Sequence, residues 1–85
     1  MPEVEVYTTP VCPYCSAAKE LLRRKGVPFL EIDVAGEPQR RAEMVVRANG
    51  RTTVPQVFVG DTHLGGCDDL YALDDAGELD RLLTT

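Results

Sequence analysis

The amino-acid sequence predicts an α/β fold in which one four-stranded mixed sheet is flanked by helices. Three observations carry that prediction. Two short strand patterns bracket a helical pattern in the first third of the chain, a Gly60-Asp61 pair divides two further strand patterns, and the leucines after Asp68 recur at helical spacing. With 85 residues there is room for one core, so residues 1–85 are expected to form a single domain. A composition of 44% hydrophobic and 27% charged residues is that of a chain able to bury a core, without the signature of disorder.

Val4 and Val6 alternate with Glu3, Glu5 and Tyr7, the period-two pattern of a strand with one buried face. Past Thr8, Thr9 and Pro10, a helix is predicted from near Pro13 to Lys25. Ala18, Leu21 and Leu22 form its apolar stripe and Gly26 stops it. Phe29–Val34 supplies the second strand, and a βαβ unit this short implies parallel strands with a right-handed crossover. Glu37-Pro38 opens a second helix whose stripe includes Ala42, Val45 and Val46, with Asn49-Gly50 at the end, where a left-handed residue is wanted. Gln56–Val59 and Thr62–Leu64 read as an antiparallel hairpin turning at Gly60-Asp61. From Asp68 to Leu83 one helix interrupted near Gly77 is predicted, offering Leu70, Leu73, Leu79, Leu82 and Leu83 to the sheet.

A formal net charge of -5 argues against nucleic acid as a partner, because phosphate binding needs clustered Lys and Arg. No apolar run approaches the roughly 18 residues of a membrane span, and no basic then apolar leader opens the sequence. The expectation is a cytoplasmic protein that binds no membrane.

Chemistry is concentrated in the cysteines. Three is an odd number, which fits a disulfide framework poorly, and two of them form the tetrad Cys12-Pro13-Tyr14-Cys15. Disulfide exchange needs a thiolate that attacks and a second thiol that resolves the mixed disulfide. Cys12 falls just before the predicted helix, where free backbone N–H groups and the positive end of the helix dipole stabilise an anion. Pro13 suits the first helical turn, where its missing N–H is not needed. Cys15 lies one turn inside, better placed to resolve than to attack, and Tyr14 is placed to flank a bound thiol. A Cys-x-x-Cys pair beside a βαβ unit is the signal of a thioredoxin-like fold with redox chemistry. The alternative is a zinc site, with Cys67 and His63 completing a Cys₃His set. His63, on the hairpin, is otherwise expected at the surface without a catalytic task.

Three motifs in order, Cys12-Pro13-Tyr14-Cys15, Thr53-Val54-Pro55 and Gly65-Gly66-Cys67-Asp68-Asp69, give the chain a strong resemblance over nearly its whole length to the glutaredoxin family, particularly the bacterial glutaredoxin 3 group. The resemblance implies a glutathione-dependent oxidoreductase that reduces protein disulfides and glutathionyl mixed disulfides and contributes to redox homeostasis and electron transfer. Glutathione is then a co-substrate, with no tightly bound cofactor and no metal. The partners implied are glutathione and disulfide-containing or glutathionylated client proteins, met by a monomer.

The resemblance also assigns residues. Cys12 and Cys15 are catalytic. Pro55 is expected in the cis form against the cysteine pair, with the Val54 backbone pairing the cysteinyl unit of the ligand and Thr53 and Tyr14 beside it. From Pro55 alone, a proline starting an edge strand would be the reading. Gly66 lets a backbone approach the ligand, the N–H groups of Cys67 and Asp68 suit its γ-glutamyl carboxylate, and the Asp69 side chain suits its ammonium. The plainer reading is that Asp68 or Asp69 simply caps the helix, and Asp68 suits the two roles equally. Arg41, with Arg40 in reserve, is assigned to the glycine carboxylate. Many relatives carry a lysine shortly before the first cysteine; here Thr9-Pro10-Val11 takes its place. Two rival readings are a glutaredoxin-like protein served by thioredoxin reductase, against which the Gly65–Asp69 segment argues, and an iron–sulfur carrier, against which the bulk of Pro13 and Tyr14 argues.

Overall fold

The computed structural model describes residues 3–84. Strand β1 (Val4–Thr8) leads through Cys12 into α1 (Pro13–Arg24), and β2 (Leu30–Asp33) returns alongside β1 in parallel, pairing Glu5 with Leu30 and Thr8 with Asp33. Helix α2 (Pro38–Arg47) crosses over to β3 (Gln56–Val59) and β4 (Thr62–Gly65), an antiparallel hairpin. Two helices end the described chain, α3 (Cys67–Asp75) and α4 (Leu79–Thr84). Strand order is β2-β1-β3-β4, with β1 antiparallel to β3. The βαβ unit, the mixed four-stranded sheet and the hairpin all stand as the sequence predicts.

Strand β1 differs from its one-faced reading, because Tyr7 and Thr8 are buried along with Val4 and Val6. An interior strand of this sheet has helices over both faces. Val4 and Val6 pack with Ala18, Leu21, Leu22 and Leu70 on one side, and Tyr7 packs with Val34, Met44, Ala48 and Phe58 on the other.

Helix α1 ends as its Gly26 requires. Gly26 adopts φ +70°, its N–H donates to Arg23 O, and Val27 N–H donates to Leu22 O at 3.1 Å, satisfying carbonyls the helix leaves open. Helix α2 stops on Asn49 (φ 57°) and Gly50 (φ 93°), but its buried face is rotated from the predicted one. Met44 and Ala48 are buried and Arg41 and Val45 half-buried, whereas Ala42 is exposed and Val46 is 80% exposed. Positions 41, 44, 45 and 48 make one face of a 3.6-residue helix, and that face meets Tyr7 and Phe58 of the sheet. Gly77 (φ 73°) splits the C-terminal segment into two helices. Leu70, Leu79 and Leu83 are buried, with Leu73 and Leu82 packed partly against them.

Candidate active site

The turn between β1 and α1 makes Cys12 the N-cap of α1, in extended geometry, with Pro13 in the first helical turn and no acidic residue there. The Cys12 sulfur accepts the backbone N–H of Cys15 at 3.1 Å, and the Cys12 carbonyl accepts Ser16 N–H at 3.1 Å. A sulfur so placed receives one of the donors that a helix start leaves unpaired. Cys12 is partly exposed and Cys15 is buried, and both are free thiols. Burial first, and then the Cys12 sulfur hydrogen-bonded to it, push the Cys15 thiol up to about 12. Two chemically identical groups three residues apart therefore differ in access, and the buried one keeps its proton.

Beside the pair lies a cavity of about 220 Å³ lined by Tyr14, Arg51, Thr53, Val54, Pro55, Gly66, Cys67 and Asp68. Seven of these eight are residues that the sequence motifs single out; the loop before β3 and the start of α3 close on the first turn of α1. The Val54–Pro55 peptide is cis. A larger hollow of about 480 Å³, between Val27, Phe29, Leu30 and Leu83, has no thiol, histidine or cation in its wall and offers no redox chemistry.

The start of α3 is held by close approaches. Gly65 has φ +110°, and a Cβ there would stand 2.5 Å from Asp69 Oδ2; at Gly66 a Cβ would lie 3.2 Å from the Pro55 carbonyl. Asp69 Oδ2 accepts Gly66 N–H at 2.9 Å, reaching back from the third helical position as a cap, and pairs with Arg51 Nη1 at 2.7 Å. Arg51, and then the Gly66 N–H, hold the Asp69 carboxyl below its usual range. Asp68 is exposed. Cys67, first in α3 and half-buried, is raised by burial, then by the charges of Asp68 and Cys12.

Arg41 does not line the cavity. Its Nη1 donates to the Thr52 carbonyl at 2.8 Å, bracing the loop ahead of Thr53. Arg51, which does line it, was not among the sequence candidates; its position two residues before Thr53 was the available signal. His63 is not a free surface group either. It is half-buried, stacked on Phe58 with ring centroids 4.9 Å apart, and bonded through Nε2 to Gln56 Oε1 at 2.7 Å, while burial and the nearby Arg51 charge lower its pKa. The Cys₃His zinc set is not assembled, and among the described residues no three His, Cys, Asp or Glu side chains converge to hold a metal.

Comparison with known proteins agrees with this geometry. Residues 4–64 match the family model described as Glutaredoxin. The chain belongs to the glutaredoxin family. It is 60% identical over 84 residues to a glutaredoxin of Pseudomonas aeruginosa, covering 99% of each chain, and 57% identical to Glutaredoxin 3 of Escherichia coli, covering 98% of this chain and 99% of that one. A buckwheat glutaredoxin solved as its glutathione complex superposes with a TM-score of 0.89 at 31% identity, over 98% of this chain and 77% of that one. The sheet and helices of this glutaredoxin are accordingly the thioredoxin-like fold, and its Cys12-Cys15 pair is the redox-active pair of a thiol–disulfide oxidoreductase.

Proposed function

We propose that this glutaredoxin uses glutathione to reduce glutathionyl mixed disulfides and protein disulfides, serving redox homeostasis and electron transfer in the cytoplasm. One observation carries the reading: a partly exposed N-cap sulfur and a buried, protonated partner sit beside a cavity whose wall is Tyr14, Thr53, Val54, cis-Pro55, Gly66, Cys67 and Asp68. The buckwheat protein, similar in fold, was solved with glutathione bound.

In this mechanism the Cys12 thiolate attacks the glutathione sulfur of a glutathionylated protein. A Cys12–glutathione disulfide forms, the original S–S bond breaks, and the protein leaves as a thiolate that takes a proton from solvent. A second glutathione thiolate then attacks the bound glutathione sulfur, releasing oxidised glutathione and restoring the Cys12 thiolate. On a protein disulfide the first attack leaves the client attached. Cys15, once it loses its proton, displaces the client, and two glutathiones later reduce the Cys12–Cys15 disulfide.

Within the cavity, Val54 supplies backbone pairing to the cysteinyl unit and the N–H groups of Cys67 and Asp68 meet the γ-glutamyl carboxylate, while Asp69, the next residue of α3, meets its ammonium. Arg51 stands in the cavity wall as its cation, while Arg41 braces the loop from outside that wall. Glutathione enters as a co-substrate and the acting unit is the monomer.

The test is NADPH consumption with glutathione and glutathione reductase on a small glutathionyl mixed disulfide, comparing wild type with Cys12→Ser. Turnover in wild type that the substitution abolishes is the expected result. Folded, reduced wild type with no turnover would replace glutathione by thioredoxin reductase as the electron source to test next.

A further inference from the structure

Strand β3 reads Gln56-Val57-Phe58-Val59, and its one polar side chain, Gln56, is fully buried. An amide in an apolar interior costs several kcal/mol unless it is hydrogen-bonded, so its partners show what it is kept for. Gln56 Nε2 donates to the Thr53 carbonyl at 3.0 Å and approaches Thr53 Oγ1 at 3.3 Å. A carbonyl only accepts, so the group facing Thr53 is the NH₂. Oε1 therefore faces His63, and the His63 nitrogen 2.7 Å away, Nε2, carries a proton. His63 in turn is fixed by its stack on Phe58, its cross-strand partner.

We infer that Gln56 and His63 are positioning residues that hold the Thr53–Val54 peptide in the orientation presenting Val54 N–H to the backbone of the bound cysteinyl unit. The inference rests on the glutathione reading above for the identity of the ligand. In a planar trans peptide the C=O and N–H point in opposite directions. With the Thr53 carbonyl turned inward onto Gln56, Val54 N–H is turned away from it, in a residue that lines the cavity. Among the described residues that N–H has no acceptor. Thr52 and Thr53 are exposed and outside any strand; Arg41 holds the Thr52 carbonyl at 2.8 Å, and the buried amide is the side chain that holds the Thr53 carbonyl itself. Pre-set orientation of a binding group lowers the ordering cost when the ligand arrives.

The variants are Gln56→Met, which keeps size and loses every hydrogen bond, and His63→Phe, which keeps the stack on Phe58 and loses the bond to Gln56. They are assayed with a glutathionylated peptide and, separately, by iodoacetamide alkylation of Cys12, which makes no use of Val54. Gln56→Met is expected to raise KM about tenfold, equivalent to about 1.4 kcal/mol. Its kcat and its alkylation rate are expected to stay within about twofold of wild type. His63→Phe should show a smaller KM rise, and the double variant should be no worse than Gln56→Met alone, because His63 acts through Gln56. An unchanged KM in both variants overturns the inference, as does a KM change matched by an equal change in alkylation. If Gln56→Met does not fold, His63→Phe decides by the same criteria. If wild type itself fails to turn over the peptide, the glutathione reading has failed, and the positioning role is judged by the Val54 amide resonance in His63→Phe. Broadening or splitting of that resonance supports the role and an unaltered resonance overturns it.

Discussion

The Cys15 backbone N–H points at the Cys12 sulfur from 3.1 Å, while the Cys15 side chain, 1% exposed, lies beneath it with its proton retained. One residue thus donates its main-chain N–H to the sulfur of the other and withholds its own thiol. Between pH 7 and 9, limiting iodoacetamide on reduced protein should alkylate Cys12 and spare Cys15, since the Cys15 thiol ionises only toward about 12. Peptide mapping by mass spectrometry reads the outcome; Cys15 labelled as fast as Cys12 would contradict the assignment.

Loss of either thiol should separate two activities. Cys12→Ser should lower turnover of every disulfide by at least about 1,000-fold, the scale of removing a nucleophile. Cys15→Ser should keep turnover of glutathionylated peptides, which glutathione resolves, and lose reduction of protein disulfides. Equal loss of both in Cys15→Ser would remove the resolving role given to glutathione.

The start of α3 tolerates no side chain at Gly65, where φ is +110° and Asp69 stands 2.5 Å from a Cβ position. Gly65→Ala should destabilise by about 1–3 kcal/mol through the backbone conformation alone. It should also push Asp69 off the Gly66 N–H. Chemical denaturation combined with KM for a glutathionylated peptide tests both, with both expected to worsen.

Asp69 carries a pH dependence of defined sign. Its folded carboxyl titrates below the unfolded value of about 3.9, first because of Arg51 and then because of the Gly66 N–H. The stability it contributes is fully present above about pH 4 and is lost as pH falls through the lower folded value. Nearly half of the side chain is in solvent, so the effect should stay below about 1 kcal/mol. Thermal melts of wild type and Asp69→Asn should differ at pH 7 and converge toward pH 2.

On α2, Met44→Ala should cost about 2–5 kcal/mol, the range for emptying a buried methionine site. Val46→Ala, 80% exposed, should change stability by less than about 0.5 kcal/mol. Denaturant midpoints of the two variants measure which face of the helix is buried, and the reverse order would return the apolar stripe to Val46.

Much of this protein is written in short-range pattern. Alternation in Val4–Tyr7, the helical spacing of Ala18, Leu21 and Leu22, and Gly26, Asn49-Gly50 and Gly77 as breakers are local properties, and they place the elements to within about two residues. The cysteine pair was legible for the same reason, since an N-cap and the third helical position follow from where the helix begins. Which face of α2 is buried was not legible. Ala42, Val45 and Val46 make an apolar stripe as plausible as Met44 and Ala48, and only the seat against Tyr7 and Phe58 selects between them. Nor could the pattern show that β1 is interior and buried on both faces, a consequence of strand order.

At the site, Arg51 meets Asp69, and Gln56 meets both Thr53 and His63, across turns of chain whose geometry no local rule specifies. The elements, their boundaries and the thiol at the helix start are legible in the chain alone, because each depends on residues within one turn or strand of one another. Which polar groups face each other around the cavity was settled in the tertiary structure, because those pairings depend on how elements far apart in the chain pack together.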